Sequence, residues 1–513
     1  MNPLEALLDR LAALDVRLAL DGDRLNVNAP KGALDAGLRA ELAQHKETIK
    51  AHLRLNPSVP PRPTVAVPAL VPVPRHTSMP VSHTQQRLWF LRRMDPDSSA
   101  YNIVSAVRLS GPLDPTALER AFDALVARHE SLRIRFFAVD GAPRCSVETE
   151  AHVRLKLIDL SGTDAAVRDD EAMREVLEVA REPFDLTRCP LLRLALVRLT
   201  PQQHLFCFVV DHIVADGISV GLLFAEMLLL YREHVGGVAA ALPPLPLQYL
   251  DHVHWQQAVF ASGALAEHLV YWKQQLRGLP PVLSLPTDRP RPRVQTHRGA
   301  RRLELLPDAL LVELRATARR EGVTLYMLML AAFEILLHRY SGEDDFAVGT
   351  VVGARDRAEI ERVVGFFANN IVQRADLSGN PTLRELLARV RETALKAYAH
   401  QEMPFDLLVE ALAPRRDLDH SPLFQVLFVL HSITTRRSDM DQTTAEVQEL
   451  PLATSRFDLS VDVFDIPDEG MRVYFEYNVD LFDAATIERM MGHYTTLLES
   501  LVAEPQASVP TRA

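Results

Sequence analysis

The sequence predicts a mixed α/β (α+β) protein with a small separate unit at its N-terminus. Three observations carry this. Short strand-like runs (101–109, 153–160, 192–197, 205–210, 346–351 and 471–477) are interspersed with long amphipathic stretches of helical period (114–129, 165–180, 307–321, 383–399 and 484–501). The composition is that of a folded globular chain, 513 residues with 48% hydrophobic and 24% charged. Eight of the 34 prolines are crowded between Pro57 and Pro80, and there the chain is cut.

Composition also excludes several functions. The 56 Lys and Arg against 67 Asp and Glu give a net charge of -11, without the basic stripe of a nucleic-acid binder. Cys145, Cys189 and Cys207 are widely spaced and form no CxxC, which argues against a disulfide framework or a zinc site and for a cytoplasmic setting. The first fifteen residues carry acids within their apolar pattern and are no signal peptide. The apolar stretch 325–337 is too short to span a membrane and contains Glu334.

Residues 1–55 come first. Leu4, Leu7, Leu8, Leu11 and Leu14 recur at helical spacing. Val16, Leu18 and Leu20 alternate, the Asp21-Gly22-Asp23 turn follows, and Leu25 and Val27 alternate again, which is a hairpin signal. Pro30, Lys31 and Gly32 break the chain before helical periodicity resumes over 38–53. With eight bases and eight acids the unit is locally neutral, and so small a core gains from a partner. Residues 56–80 have no acid and no period, and proline fixes φ while removing a donor. An extended, semi-rigid linker is expected, with an ordered arm lying on the next domain as the other reading of Val65, Val67, Leu70 and Val71.

The order helix, hairpin with LDGDRLNVNAPKGAL, then helices resembles the tubulysin-type N-terminal docking domains of non-ribosomal peptide synthetases. The resemblance implies a dimeric unit that holds the C-terminal tail of an upstream synthetase along the hairpin edge. An edge strand offers unpaired backbone groups to an extended peptide.

The body spans 81–505, followed by a tail at 506–513. A Phe-Asp-Leu step precedes a strand pattern twice, in PFDLTRCPLLRLALVRL and in SRFDLSVDVFD. Two related lobes and a chance tripeptide are both open on that echo. The sharpest local feature is HLFCFVVDHIVADGISVGLLFAEMLLLY, an apolar strand that runs into Asp211, His212, Asp216 and Gly217 before a helix from Ser219. Histidine moves protons near neutral pH and Gly217 permits a close backbone approach. HxxxDG alone is a weak motif, and a satisfied polar turn explains it equally well.

Six further motifs accompany it: SHTQQRLWFL, ARHESLRIRF, YLDHVHW, VGFFANNIVQR, AHQEMPFDLLVEAL and RRDLDHSPLFQVLF. Their order and spacing resemble the condensation domains of non-ribosomal peptide synthetases over essentially all of 81–505. The resemblance implies a V-shaped pseudo-dimer of two chloramphenicol-acetyltransferase-like lobes, here 81–255 and 256–505. The motif would lie between them in a tunnel open at both faces. An upstream carrier would present an acyl or peptidyl thioester and a downstream carrier an aminoacyl amine, each on a phosphopantetheine arm, with no metal or bound cofactor. His212 matches the family's motif histidine, as general base or as the group that positions the amine. Gly217 would offer its N–H to the oxyanion. Asp216 matches an aspartate that pairs with an arginine of the other lobe, and Arg355 in VVGARDRAE fits that arginine. Arg87 and Trp89 look like scaffold, and Asn369 matches an asparagine of the bridging region.

The family usually reads HHxxxDG, whereas this chain has Asp211 in the first position. Adjacent strand residues face opposite ways, so Asp211 is expected to turn away from the tunnel and to need donors or a proton. Asp211, Asp216 and Ser219 also satisfy DxxxxDxxS, the pattern of heterocyclisation domains. The expected activity is an amide-forming acyltransferase. Heterocyclisation, another substrate-modifying condensation or an inactive recruitment platform are the alternatives. With no carrier or adenylation motif present, the chain reads as a piece of a longer synthetase, and the sequence names neither substrate.

Overall fold

The computed structural model describes residues 17–21, 24–28, 68–412, 419–432, 437–440, 443–466 and 470–503. The chain divides into two units, Met1–Val67 with Ser262–Ala264, and Pro68–Ala261 with Leu265–Ala513. In the smaller unit β1 (Arg17–Asp21) runs antiparallel to β2 (Arg24–Asn28), with Leu18 opposite Val27 and Leu20 opposite Leu25. The helices expected at 4–14 and 38–53, and the tail 506–513, lie outside the described residues.

The larger unit begins earlier than the linker boundary at 80 allows. From Pro68 the chain is fastened to the body. The Pro68 carbonyl accepts Trp255 Nε1 at 2.8 Å, and Val73 N and Arg75 Nη1 reach Asp251 Oδ1 at 2.8 and 2.7 Å. Arg75 also pairs with Glu130, and Leu70 and Val73 pack on the hydrophobic core. The ordered arm therefore holds for 68–80, because Asp251 and the core supply partners that an extended, proline-rich backbone cannot find in itself.

In chain order the first lobe contains β3 (Met79–Pro80), α1 (His83–Met94), β4 (Asn102–Ser110), α2 (Pro115–Arg128), β5 (Ile134–Val139), β6 (Ala142–Val147), β7 (Leu155–Asp159), α3 (Ala165–Arg181), β8 (Leu192–Thr200), β9 (Gln203–Asp211), α4 (Gly217–Gly236) and α5 (Tyr249–Ala261). Helix α6 (Ala266–Gln275) follows and is tied to the second lobe, where Trp272 Nε1 donates to the His400 carbonyl at 3.0 Å and Arg374 Nη1 to the Gln275 carbonyl at 2.8 Å. Helix α1 opens with a capping box in which Ser82 and Gln85 satisfy each other's backbone, and Asp114 caps α2 with Pro115 at its first position. Strand β9 lies between β4 and β8, and every residue from His204 to Asp211 is buried. An unbroken apolar run suits a central strand covered on both faces.

The second lobe contains β10 (Gly299–Leu306), α7 (Asp308–Arg320), α8 (Leu325–Ser341), β11 (Asp345–Val352), β12 (Asn369–Asp376), α9 (Leu383–Ala399), α10 (Phe405–Leu412), β13 (Val426–Ser432), β14 (Arg437–Met440), β15 (Thr443–Gln448), β16 (Leu459–Ile466), β17 (Gly470–Asn478) and α11 (Ala484–Ala503). Its sheet runs β10-β17-β16-β13-β11-β12. Its core gathers around α8, where Met327 to His338 are all buried. Glu334 sits among them, 2% exposed, with Oε2 unpartnered and its carboxyl pushed up to about 8 by burial.

The division of lobes at 255 and 256 is corrected in two places. Helix α5 runs straight through it. The hairpin β14–β15 joins the first lobe's sheet, whose order is β14-β15-β4-β9-β8-β7, with Val447 opposite Val107. That pairing covers an edge of β4 that would otherwise be open. The segment between β11 and β12 crosses too, since Ile360, Val363, Phe366 and Phe367 belong to the first lobe's core.

Candidate active site

Strand β9 delivers a six-residue turn, 211–216, before α4 begins. Asp211 still pairs with Asn102 of β4, and its N–H donates to the Leu191 carbonyl at 3.0 Å. Its side chain points away from open space. Oδ2 accepts Arg92 Nη2 at 2.9 Å and Oδ1 accepts Ile213 N at 2.9 Å. Burial pushes the Asp211 carboxyl upward while Arg92 pulls it down.

His212 follows, with its N–H on the Tyr101 carbonyl at 2.9 Å and its ring 4.5 Å from that of Phe366. It is only half-buried, but its Nδ1 is enclosed without a partner from another residue. Burial first, and then repulsion from Arg456, lower it to about 4, with Asp216 opposing. The imidazole is therefore neutral at pH 7 and able to accept a hydrogen bond.

Asp216 caps α4 through Ser219 N at 2.8 Å, which satisfies one of the helix's free amides. Arg355 of the second lobe grips the same carboxylate with two nitrogens at 2.8 and 2.9 Å, and Phe367 N and Ala368 N add bonds of 3.0 and 3.1 Å. Ser219 completes this seam. Its Oγ donates to the Gly365 carbonyl at 2.8 Å and accepts Gly365 N at 3.0 Å and Arg355 Nη2 at 2.8 Å. Gly365 must be glycine, since a Cβ there would stand 2.0 Å from the Tyr249 ring. Gly217 is different. It is exposed, no atom lies within 4 Å of where its Cβ would be, and as first residue of α4 its N–H has no intrahelical acceptor.

The turn thus gathers Asp211, His212, Asp216, Gly217, Ser219 and Arg355. The other motif residues serve elsewhere. Arg87 Nε stands 3.4 Å from Asp406 of α10, and Trp89 is buried with the Arg93 guanidinium 4.9 Å from its ring. Asn369 braces a loop by donating to the Gln401 and Met403 carbonyls at 2.9 and 2.8 Å and accepting Phe405 N at 3.0 Å. Sequence reasoning missed Arg92, which sits 119 positions from its partner, and Gln85, which donates to the Ile213 carbonyl at 2.9 Å. Tyr249 stood out only as a letter inside a motif. Its hydroxyl donates to the Phe366 carbonyl at 2.7 Å and so sets the ring against His212. Phe366 also lines a cavity of about 740 Å³, its open mouth included, together with Ser82, Thr84, His252, Trp255 and Phe367 among others. Among the described residues no group of three His, Cys, Asp or Glu is arranged to hold a metal, and no single helix is long and apolar enough to cross a membrane.

Comparison with known proteins gives the family. Residues 75–512 match the family described as Condensation domain, and residues 4–54 match the TubC N-terminal docking domain. One of the linear gramicidin synthase polypeptides of Brevibacillus parabrevis is 45% identical over 442 residues, covering 86% of this chain and 8% of that protein. The chain therefore spans less than a tenth of that relative's length. Among solved structures, the complex of the X-domain and OxyB from teicoplanin biosynthesis gives a TM-score of 0.78 at 27% identity, covering 86% of this chain and 97% of that one. A four-domain nonribosomal peptide synthetase bound to AMP and glycine shares the fold, with a TM-score of 0.77 at 24% identity over 85% of this chain and 34% of that one. The protein belongs to the condensation-domain family of nonribosomal peptide synthetases and carries a TubC-type docking domain at its N-terminus.

Proposed function

We propose that the larger unit is an acyltransferase that joins two carrier-bound substrates through an amide bond. The observation that carries this is the division of labour in the turn. Asp211 and Asp216 are each committed to an arginine, while His212 is neutral and half-open. The acceptor amine attacks the thioester carbonyl of the donor, forming the C–N bond. The oxyanion then collapses, the C–S bond breaks, and the proton lost by nitrogen ends on the departing sulfur. Low basicity favours His212 as the group that holds the amine and passes this proton, rather than as a strong base acting in advance. Gly217 is exposed, and its N–H, which has no acceptor within the helix, suits the developing oxyanion. Thioesters are already activated, so alignment of two tethered substrates supplies much of the rate.

Each substrate arrives on the phosphopantetheine arm of a carrier supplied by a partner protein, and no metal or diffusible cofactor takes part. The docking domain recruits the tail of the upstream synthetase by strand addition to the β1–β2 hairpin, and its small core is completed by a second copy. Three unpaired cysteines fit a reducing, cytoplasmic setting. The DxxxxDxxS match speaks less for heterocyclisation than its letters do. Ser219 is fully buried, and the whole triplet is engaged in hydrogen bonds that hold the turn.

The test loads both carriers and follows products by intact mass. The expected product is a plain amide, abolished by His212→Ala. Loss of a further water with a Cys, Ser or Thr acceptor overturns the reading in favour of heterocyclisation. Deleting residues 1–55 should weaken transfer from the native upstream carrier and spare transfer from an excess of free carrier. Equal loss in both counts against docking.

A further inference from the structure

Helix α1 grips the His212 turn at two points. Gln85, fully buried, holds the Ile213 carbonyl. Seven residues further along, Arg92 donates to Asp211 Oδ2 and to the Ser98 carbonyl, which ties the turn to the loop between α1 and β4. Asp211 passes the grip onward. Its Oδ1 accepts Ile213 N at 2.9 Å and its main-chain oxygen accepts Val214 N at 3.1 Å. The two side chains are 11% and 3% exposed, so water does not screen the pair. A charge-assisted bond in such a place is short, strong and directional. These contacts end on residues 211, 213 and 214. They hold the main chain on both sides of His212 and leave its ring free to meet a substrate.

We propose that Arg92 is a positioning residue for condensation, acting through Asp211 to fix the main chain around His212 and so to set where its ring stands. The proposal rests on the role given above to His212. A merely structural pair would matter for folding alone, and the two possibilities separate cleanly. Arg92→Met leaves a buried carboxylate without its partner, so it lowers stability under either view. Adding Asp211→Asn removes that unpaired charge. Asn keeps an oxygen for Ile213 N but loses the ionic tie to α1.

The experiment uses the full chain with both loaded carriers. It measures kcat, KM for the acceptor carrier and the thermal midpoint for Arg92→Met, Arg92→Lys, Asp211→Asn and the double variant Arg92→Met with Asp211→Asn. We expect the double variant to recover the wild-type midpoint while its kcat stays roughly 10- to 100-fold low at unchanged KM, the size of effect that a small misplacement produces. Arg92→Lys, which keeps the charge, should recover part of the rate. A kcat that returns with the midpoint, or that Arg92→Met leaves untouched, overturns the proposal. The ring of His212 is followed in parallel by NMR of 13C-labelled histidines, assigned by its absence in His212→Ala. Its signal should move in the double variant while other histidines stay. If His212→Ala is fully active but the signal still moves, the reaction role of His212 falls and the brace stands. An unmoved signal sinks the brace.

Discussion

The turn after β9 has a counterpart in the other lobe. Strands β16 and β17 form a hairpin as β8 and β9 do, and a long helix follows each. In the first lobe Asp211 Oδ1 accepts the N–H two residues on, from Ile213 at 2.9 Å. In the second, Asn478 Oδ1 accepts Asp480 N at 2.8 Å. The residue between them donates its own N–H to the segment before the neighbouring strand, His212 to Tyr101 and Val479 to Arg298. The same local device therefore ends the second strand of both hairpins, through a side-chain oxygen that mimics a turn. One lobe places histidine at its centre and ties the turn with two Asp–Arg pairs. The other places valine there, accepts the amide of Asp480 with a neutral Asn478, and has one Asp–Arg pair, Asp480 with Arg298 at 2.7 Å. The turn geometry is architecture, and the chemistry is a single substitution on it.

The largest effect should come from reversing that substitution. His212→Ala is expected to lower the rate of amide formation by about 10²–10⁴-fold. Adding Val479→His should not restore it, and recovery in a carrier-loaded mass assay would break the comparison. Next comes the tie between lobes. Arg355→Ala strands Asp216 beneath the surface without its cation, and should cost about 3–5 kcal/mol in denaturant unfolding.

Buried acids offer a third contrast, since Asp211 and Asp216 have arginines and Glu334 has none. Folding raises the Glu334 carboxyl from 4.5 to about 8. Between these values the unfolded chain has lost the proton and the folded one keeps it, so Glu334 makes stability fall as pH climbs from 4.5 to about 8 and level off above. Glu334→Leu should remove that slope. Its gain should be small at pH 4.5 and reach roughly 4 kcal/mol at pH 8, read from unfolding at several pH values. The smallest effect is expected from Asn478→Asp, which gives the second lobe's turn the acid of the first beside Asp480, whose partner Arg298 is already engaged. A loss of roughly 1–2 kcal/mol is expected in the same unfolding assay.

Periodicity located the regular elements well. Helix α9 matches its expected range of 383–399, the other expected helices of the body differ by a residue or two at their ends, and β8 runs three residues beyond its expected end at 197. The hairpin β14–β15 was illegible because it pairs with a strand more than 300 residues earlier, and no local pattern records such a partner. The site divides in the same way. His212, Asp216 and Gly217 stand together in the chain, so a motif displays them. Arg355 was reachable only through the family resemblance, and Arg92 carried no signal, since an arginine near a helix end is an ordinary surface residue until a buried carboxylate is brought to it. Ser219 showed in the sequence as one letter of a reaction pattern, and its hydroxyl turned out to join the lobes. Asp211 departs from the usual histidine, yet the turn it closes is the one that Asn478 closes in the second lobe.

The hairpin that leaves its own lobe bears on how such synthetases are recombined. A chimaera cut near residue 255 would place a foreign 437–448 segment against β4 and foreign 360–367 side chains in the first lobe's core. Exchange between related synthetases should therefore either keep both lobes from one parent or carry these two segments along with the first lobe. By that measure the smallest portable piece of the molecule is not a lobe, because segments of the second lobe complete both the sheet and the core of the first.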